Sequence, residues 1–574
     1  MSSFLCLKNY GFSGIFLYNT GISRIENLTK TCHNKVMKEM QNLAEMSREE
    51  LEKNYIKLHT QLAQANQLLN FYIEQLRLSH IKKYGKSSEK NADGQLSLSD
   101  VFEDIMLFNE AETLKEPINI EPSEEKLVSG KHKKKKDLKA LPVKEIIYEL
   151  SQKEQVCPKC GNALHEMKEE VHVEIEVIPA KTVVNRYVTK VYACRNCEKN
   201  NEATIVKALG APLPVIEKSV ASASLIADIL SRKYVEAVPF YRQEQTMKAR
   251  NIPVSRNNMC NWAIKVANDY FSPLVNQMKK IMYNDHVIHC DETYVQVLDE
   301  PNRPAMRKSY IWVTTTAEYQ KAHKIAIYNY TEGRSQTDAR KVLEGYSGYI
   351  MCDGYAGYDA ITKTGKYGES PMNVKPVACM VHIRRKFMEA LKLINKSERK
   401  NTSAQIAIDK ISLISRIDNK FNEMPPAERK EARLLYLKPA LEDFFALVKT
   451  ESEISLPKSK YGLALEYALK QKDKAMRVLE DGRLELDNNL AERTVKPFVI
   501  GRKNWLFSQS PQGANASCII YSIVETAKLN NLIPYEYLKY LLERMPGLKL
   551  NDENLQSLMP WSKQLPTYIK NPEE

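Results

Sequence analysis

Two aspartates within apolar segments are the residues of this sequence that most suggest chemistry. The segment at 287–297 reads VIHCDETYVQV and is apolar enough for a buried strand, yet it contains Asp291 and Glu292 side by side. A buried carboxylate is costly unless it is paired or bound to a metal. Asp353 ends a second strand-like segment, at CDGY. Because Mg²⁺ prefers carboxylate oxygens as ligands, the two aspartates indicate a magnesium site.

A third carboxylate is needed to complete such a site. A pair of Mg²⁺ ions about 4 Å apart can activate a nucleophile on one side of a phosphodiester and stabilise the leaving oxygen on the other, and two aspartates do not hold two ions alone. Glu292 does not qualify, because on a strand it points to the face opposite Asp291. The candidates from predicted helices are Glu480, Glu485, Asp487, Glu492 and Glu525.

Glu492 is the favoured third ligand because of the segment DNNLAERTVKP. Asp487 or Asn488 can cap a helix, which places Glu492 within its first two turns. Glu525, in YSIVETAK, is the runner-up, as a structural or DNA-facing carboxylate.

The order of the surrounding elements predicts how the aspartates are positioned. Three strand-like segments with short connections, a helix around 335–345, the Asp353 strand, and a strand running into a helix follow one another between 285 and 390. This is the order of a ribonuclease-H-like domain, in which the first and fourth strands lie adjacent. In that fold Asp291 and Asp353 point to one spot at the edge of the sheet.

Basic residues near these carboxylates are candidates for binding DNA phosphates. His382, Arg384 and Arg385 lie where the last strand turns into a helix, although a packed or capping histidine is an equal alternative for His382. Arg493 lies beside Glu492. Arg502, Lys503 and Asn504, in GRKN, suit a turn that grips the DNA backbone, and a solvated basic loop is the alternative.

Two C-x-x-C pairs predict a structural zinc site. Cys157 and Cys160 form the first pair, Cys194 and Cys197 the second, and the segment between them alternates like a β-hairpin. Four thiolates at the ends of a hairpin suit tetrahedral Zn²⁺ and leave no open coordination position. A redox pair or a fortuitous pairing is the alternative.

Helices predicted over 217–280 resemble a helix-turn-helix DNA reader. Pro239 opens the second helix, and Ser255 caps a third that continues with Arg256. Trp262 and Ile264 are the expected core side of that third helix. A small helical bundle without DNA contact fits the same pattern equally well.

The N-terminal region predicts self-association and a flexible connection. Apolar residues from Leu51 to Leu76 follow a heptad pattern, which predicts a dimerising coiled coil, with a helix folded back on its own protein as the alternative. Residues 81–140 carry charged segments without an apolar period and are expected to be disordered.

The bulk composition limits the partners. A formal net charge of +13 and a pI of about 8.9 suggest a polyanion, although a basic soluble protein without such a partner has the same charge. No segment of eighteen apolar residues is present, so no membrane span is expected. Cysteines scattered in apolar surroundings indicate a reducing compartment, the cytoplasm.

Several motifs together resemble one known family. CDET, CDGYAGYDA, CMVHIRRKF, LDNNLAERTVKPFVIGRKNWLFS and YSIVETAKLNN are similar to those of the insertion-sequence-66 family of bacterial DDE transposases, over roughly residues 40–560. The resemblance implies that Asp291, Asp353 and Glu492 form the catalytic triad and bind Mg²⁺ or Mn²⁺, beside a structural Zn²⁺. It also implies double-stranded DNA partners (transposon ends and target), accessory proteins of the same element, and a nucleoid-associated protein in the bacterial cytoplasm.

The combined expectation is an α/β multidomain protein. Its parts are an extension outside the family pattern or disordered (1–36, with Met37 a plausible start), a coiled coil (37–80), a charged flexible linker (81–140), a zinc-ribbon (141–212), a helix-turn-helix-like DNA-binding domain (213–284), a ribonuclease-H-like core in two parts (285–389 and 481–530) around a helical insertion (390–480), and a C-terminal helical tail (531–574).

The expected activity is metal-dependent DNA strand cleavage and strand transfer by at least a dimer. Two alternatives remain open from the sequence. One is a non-catalytic DNA-binding regulator built from the zipper, zinc-ribbon and helix-turn-helix, and the other is a ribonuclease-H-like nuclease or resolvase that cuts without joining.

Overall fold

The computed structural model describes most of the chain from residue 212 onward. The described residues are 182–193, 205–207, 212–365, 368–395, 398–400 and 402–571, with six isolated positions between 47 and 72. Glu49, Lys53, Lys57, His59 and Tyr72 are helical, and the rest of the predicted coiled coil lies outside the described residues. The predicted linker, the N-terminal extension and all four cysteines of the predicted zinc site also lie outside them.

The elements are as follows in chain order. The strands are β1 Val191–Ala193, β2 Ile205–Lys207, β3 Val287–Val297, β4 Lys308–Thr316, β5 Ala326–Thr331, β6 Gly348–Cys352, β7 Val374–Ala378 and β8 Phe507–Ser508. The helices are α1 Ala223–Tyr234, α2 Phe240–Ala249, α3 Arg256–Val266, α4 Ser272–Met282, α5 Gln336–Leu343, α6 Ala356–Ala360, α7 Met380–Lys392, α8 Ser403–Asn419, α9 Pro426–Ala432, α10 Lys438–Ile454, α11 Lys460–Met476, α12 Asn489–Trp505, α13 Pro511–Leu529, α14 Pro534–Arg544 and α15 Asp552–Leu558.

The chain divides into two compact units. The first unit comprises Met1–Lys90, Tyr349–Thr364 and Asn373–Asn489, and the second comprises Asn91–Gly348, Gly365–Met372 and Leu490–Glu574. Both combine strands with helices, so the described fold is mixed α/β. No helix among the described residues is long and apolar enough to cross a membrane.

Only part of the hairpin predicted between the cysteine pairs lies among the described residues. β1 pairs antiparallel with β2, with Val191 opposite Lys207, so the pairing spans the second cysteine pair and does not end before it. Residues 182–190, predicted as part of a strand, have no regular structure, and Val183 and Val184 are exposed. Alternating β-branched residues form a strand only where a neighbouring strand satisfies their backbone groups, and none of the described residues does so here.

Helices α1 to α3 of the second unit pack against one another around an apolar core. The Ser222 hydroxyl caps α1, and Ser255 forms a reciprocal capping box with Asn258 at the start of α3. Trp262 is buried, whereas Ile264 is only half-buried. Three helices were also predicted here from the capping residues and the apolar spacing of the sequence.

The sheet of the second unit is a meander with one extra strand. β3 pairs antiparallel with β4, and β4 pairs antiparallel with β5. Two short helix–sheet contacts fasten α13 to β5, because the Tyr328 amide donates to Ser522 Oγ at 2.9 Å and the Ala326 amide donates to Thr526 Oγ1 at 3.1 Å. The helix thus satisfies backbone groups of a strand that would otherwise be an open edge.

The first unit packs helices around two short strands. β6 and β7 are neighbours in a sheet, and α7 follows β7 and contacts α8 and α11. Phe387, Phe444 and Phe445 form its buried aromatic core. The fully buried Arg433 binds both oxygens of Asp418, at 2.6 and 2.9 Å, so the helices between 402 and 479 are joined by a paired internal charge.

Candidate active site

Asp291 lies in the middle of β3. Cys290 and Val295 of that strand are buried, and the Asp291 side chain is half-buried, facing Val313 of β4 in the strand register. Its Oδ1 accepts a hydrogen bond from the Glu292 amide at 2.9 Å. The strand therefore holds a carboxylate in a position with restricted access to water, as the alternation of apolar residues around it indicates.

Glu292 has a buried side chain and a separate partner, the half-buried Arg334. Its Oε1 lies 2.8 Å from Arg334 Nη2, and only 4% of its side chain is exposed. The Arg334 guanidinium also lies over the Tyr310 ring, 5.6 Å from its centroid. No sequence motif pointed to Arg334, whose partner is distant along the chain.

Asp353 directly follows β6 and begins a tight turn. Its Oδ1 accepts a hydrogen bond from the Tyr355 amide at 2.9 Å, an Asx-turn that leads into α6. The Asp353 side chain is half-buried. The turn is irregular backbone, so its position depends on the elements that pack against it.

Glu492 lies in the first turn of α12 and is 5% exposed. The Asn489 amide donates to Asp487 Oδ1 at 2.9 Å, so Asp487 caps the helix as the sequence suggested. A carboxylate in the first turn of a helix is favoured by the helix dipole. Burial of a charged carboxylate nevertheless costs free energy unless an opposite charge lies nearby, which suits a cation ligand.

Glu525, the runner-up carboxylate, is buried on α13 but has a local partner. Its Oε1 lies 2.8 Å from Lys528 Nζ. Burial raises the pKa of Glu525, and the charge of Lys528 acts in the opposite direction. The two residues line a cavity of about 270 Å³ with the side chains of Leu490, Arg493, Thr494 and Leu529.

Arg502 lies against β3, in contrast to the DNA-gripping turn expected for GRKN. Its Nη1 donates to Thr293 Oγ1 at 3.0 Å and to the Tyr294 carbonyl, and its guanidinium lies 3.8 Å from the centroid of the Tyr294 ring. Burial lowers its pKa. The GRKN residues belong to the end of helix α12. The Gly501 backbone in this segment packs closely against Trp505 and Tyr521.

Arg493, Lys503 and Asn504 are exposed on α12. Beyond the helix, β8 runs parallel to the end of β3, with Gln296 opposite Phe507. Arg502 and β8 therefore fasten the helix that carries Glu492 to the strand that carries Asp291, and all of these residues belong to the second unit.

His382, Arg384 and Arg385 lie in the first two turns of α7, directly after β7, and are half-buried. Burial lowers the pKa of His382 to about 3, and the charges of Arg385 and Lys386 act in the same direction. His382 is therefore uncharged at neutral pH. A phosphate near this turn would receive positive charge from the two arginines and at most a hydrogen bond from the histidine.

Ser255 and Arg256 differ in their exposure to solvent. The Ser255 hydroxyl is engaged in the α3 cap, where it contacts Asn258 Oδ1 at 2.6 Å. The Arg256 amide donates to Glu244 Oε1 at 3.0 Å, while its side chain is exposed. The Arg256 side chain is therefore accessible to a binding partner, whereas the Ser255 hydroxyl is engaged in the helix cap.

The chain is similar to proteins of one family along most of its length. A family described as transposase IS66 matches residues 218–516, the zinc-finger binding domain of transposase IS66 matches residues 154–198, and the IS66 C-terminal element matches residues 522–561. The zinc-finger match includes all four cysteines of the predicted zinc site.

Three relatives come from Sinorhizobium fredii (strain NBRC 101917 / NGR234), and each is described as an uncharacterized protein. The protein y4jD is 28% identical over 432 residues, which cover 74% of this chain and 81% of y4jD. The protein y4qI is 27% identical over 62% of this chain and 65% of its own length, and y4hP is 25% identical over 71% and 73%. No solved structure matches the chain.

Proposed function

Because this chain belongs to the IS66 family of transposases, we propose that it cuts DNA strands at the ends of an insertion sequence and joins them to target DNA with divalent metal ions. One observation carries the proposal. The strand that holds Asp291 and the helix that holds the buried Glu492 are fastened to each other by Arg502 and β8. Two acidic groups are thereby fixed on one rigid framework, as a metal-dependent phosphoryl-transfer site requires.

We also assign Asp353 as a metal ligand, beside Asp291 and Glu492, and the core to the ribonuclease-H-like fold. The succession β3, β4, β5, α5, β6, α6 and β7 supports this fold, because it has the same order of strands and helices. The family resemblance gives Asp353 this role together with Asp291 and Glu492. The helices between 402 and 479 are then an insertion before the helix that carries Glu492.

The residues of this set fit Mg²⁺ or Mn²⁺ by their donor chemistry, since all three offer hard carboxylate oxygens. Bound ions would activate water and stabilise the leaving oxygen of the phosphodiester. Asp291, Asp353 and Glu492 hold the ions, and Arg384, Arg385 and Arg493 balance the charge of the DNA phosphates. Hydrolysis leaves a 3′ hydroxyl at the transposon end, which then displaces a 3′ oxygen of a target phosphodiester.

The remaining assignments extend the proposal to the whole chain. Cys157, Cys160, Cys194 and Cys197 bind a structural Zn²⁺, and α1 to α3 form a helix-turn-helix-like domain in which Arg256 contacts DNA. Lys503 and Asn504 contact the DNA backbone from the exposed side of α12. The N-terminal heptads join two copies, accessory proteins of the same element assist them, and the reaction takes place on bacterial chromosomal DNA in the cytoplasm.

The test compares Asp291→Asn and Glu492→Gln with the unaltered protein on DNA that carries the element's ends. We expect both variants to lose about a thousandfold or more of the Mg²⁺- or Mn²⁺-dependent cleavage while their DNA affinity stays within about twofold. Glu525→Gln is the matched control, because it changes a buried carboxyl group on the neighbouring helix, and it should still cleave.

Cleavage by Asp291→Asn would refute the assignment. Loss of cleavage in Glu525→Gln but not in Glu492→Gln would move the third ligand to α13. An unaltered protein that binds the ends but never cuts them is a regulator, and one that cuts without joining in a strand-transfer assay is a nuclease.

A further inference from the structure

Helix α11 contacts the segment that follows Asp353 at two places. Lys474 Nζ lies 3.0 and 2.9 Å from the two oxygens of Asp359, which belongs to the short helix α6. Only 11% of the Lys474 side chain is exposed. Tyr467 lies two turns earlier on α11, so it presents its side chain on the same face of the helix as Lys474.

Tyr467 reaches the residue next to Asp353. The Gly354 backbone lies beside the Tyr467 phenol oxygen, and the negative charge of Asp353 acts on that phenol. A Cβ atom at position 354 would collide with the Tyr467 hydroxyl, so this close approach requires glycine. Burial, the largest cause, and the Asp353 charge raise the pKa of Tyr467, so its hydroxyl stays protonated and neutral at physiological pH.

A third contact from the same end of the insertion fixes the neighbouring strand. Arg477, which follows α11 directly, donates from Nη1 to the Pro376 carbonyl of β7 at 2.6 Å. The helix therefore holds the Asp353 turn, α6 and β7 through three contacts within the first unit. All three use side chains from the helical segment between 402 and 479.

We propose that Tyr467, supported by Lys474, is a positioning residue that holds the Asp353 turn in its working geometry. The inference rests on the proposed function, in which Asp353 is a metal ligand. It gives the helical insertion a task in the reaction, because the turn of residues 353–355 is irregular and has no ladder of its own. A displacement of a metal ligand by about 1 Å strongly lowers the rate of a metal-dependent step. A side chain that holds the Asp353 turn in place therefore matters for turnover.

The experiment compares Tyr467→Phe with Tyr461→Phe. Both remove one phenol hydroxyl from α11, but Tyr461 is bonded to Glu451 and Ser403, within the helical segment itself. We expect Tyr467→Phe to lower the kcat of strand cleavage about tenfold and to raise the Mn²⁺ concentration needed for half-maximal cleavage, with the Kd for end DNA unchanged. Tyr461→Phe should leave kcat and the Mn²⁺ requirement within about twofold of the unaltered protein.

A second readout does not depend on activity. Amide hydrogen exchange of peptides covering residues 353–358 should become several-fold faster in Tyr467→Phe and stay unchanged in Tyr461→Phe. Lys474→Gln should act in the same direction as Tyr467→Phe, and Lys470→Gln, which alters a surface pair with Glu466, should not.

Two outcomes overturn the inference. One is unchanged exchange at 353–358 in Tyr467→Phe, and the other is an equal loss of kcat in Tyr467→Phe and Tyr461→Phe, which would indicate a general structural role. If the unaltered protein never cleaves DNA, the proposed function fails, whereas the exchange measurement still decides whether Tyr467 holds the turn.

Discussion

Each buried carboxylate of the second unit meets a different set of neighbours. Glu292 is paired with Arg334, and Glu300 accepts hydrogen bonds from Arg303, Ser309 and Tyr330. Glu525 forms an ion pair with the half-exposed Lys528. An opposite charge close to a carboxylate favours its ionised form, while burial favours its protonated form.

This difference predicts opposite effects for two glutamate-to-glutamine changes. The pKa of Glu525 is raised by burial, so the folded protein binds the proton more tightly than the unfolded chain does, and the contribution of Glu525 to stability falls as the pH rises above its unfolded pKa. Glu525→Gln should therefore raise the free energy of unfolding at pH 8, and this gain should vanish as the pH falls to the ordinary pKa of a glutamic acid, near pH 4.5.

Glu292→Gln is the matched comparison and should lower the free energy of unfolding at pH 8, because it removes the carboxylate that pairs with the half-buried Arg334 charge. Denaturant titrations at pH 8 and pH 4.5 measure both effects. A stability loss in Glu525→Gln at pH 8 would show that the Lys528 ion pair outweighs the cost of burying the carboxylate.

At the scale of elements, the attachment of α12 to β3 differs from the prediction made for the GRKN segment. The GRKN segment has residue types that suit DNA binding, yet Arg502 is bonded to Thr293 and Tyr294 of β3. Lys503, the next residue, is exposed on α12. Neighbouring residues on a helix point in directions about 100° apart, so Arg502 can contact β3 while Lys503 faces solvent.

Arg502→Gln and Lys503→Gln should therefore separate stability from DNA binding. Arg502→Gln should lower the free energy of unfolding by about 2 kcal/mol, because it removes a buried charge-assisted hydrogen bond and a cation–π contact. Lys503→Gln should leave stability within about 0.5 kcal/mol but weaken DNA binding and reduce its dependence on salt concentration.

Thermal or denaturant unfolding and DNA binding at several salt concentrations measure these effects. A reduced salt dependence in Arg502→Gln, with unchanged stability, would restore the interpretation of GRKN as a DNA-gripping turn.

At the scale of the whole molecule, the zinc-finger match and the transposase match cover separate stretches of the chain. We therefore expect zinc binding to be separable from the stability of the core. The unaltered protein should contain about one zinc ion per chain, and the double variant Cys157→Ser, Cys160→Ser should lose it while the unfolding midpoint of the second unit stays unchanged.

Metal analysis after dialysis measures the zinc content. Cys260→Ser is the control, since Cys260 is an exposed cysteine far from the pairs in sequence, and this variant should keep its zinc. A protein that contains no zinc, or that keeps it in the double variant, would contradict the assignment.

The sequence alone determined the features that depend on neighbours along the chain. Apolar alternation placed Asp291 on a strand, and the caps at Ser255 and Asp487 marked the starts of α3 and α12, because capping and periodicity involve residues only a few positions apart. The motifs were also sufficient to indicate the family.

Only the tertiary structure decided which polar side chains contact other parts of the fold and so stabilise it. Arg502 and Thr293 are 209 positions apart, and Tyr467 lies against Gly354 across more than a hundred residues. Long-range partners of this kind leave no periodic signal, because any arginine or tyrosine on a helix has the same local pattern. Their roles follow from which surfaces meet on folding, and that is fixed by the packing of the core as a whole.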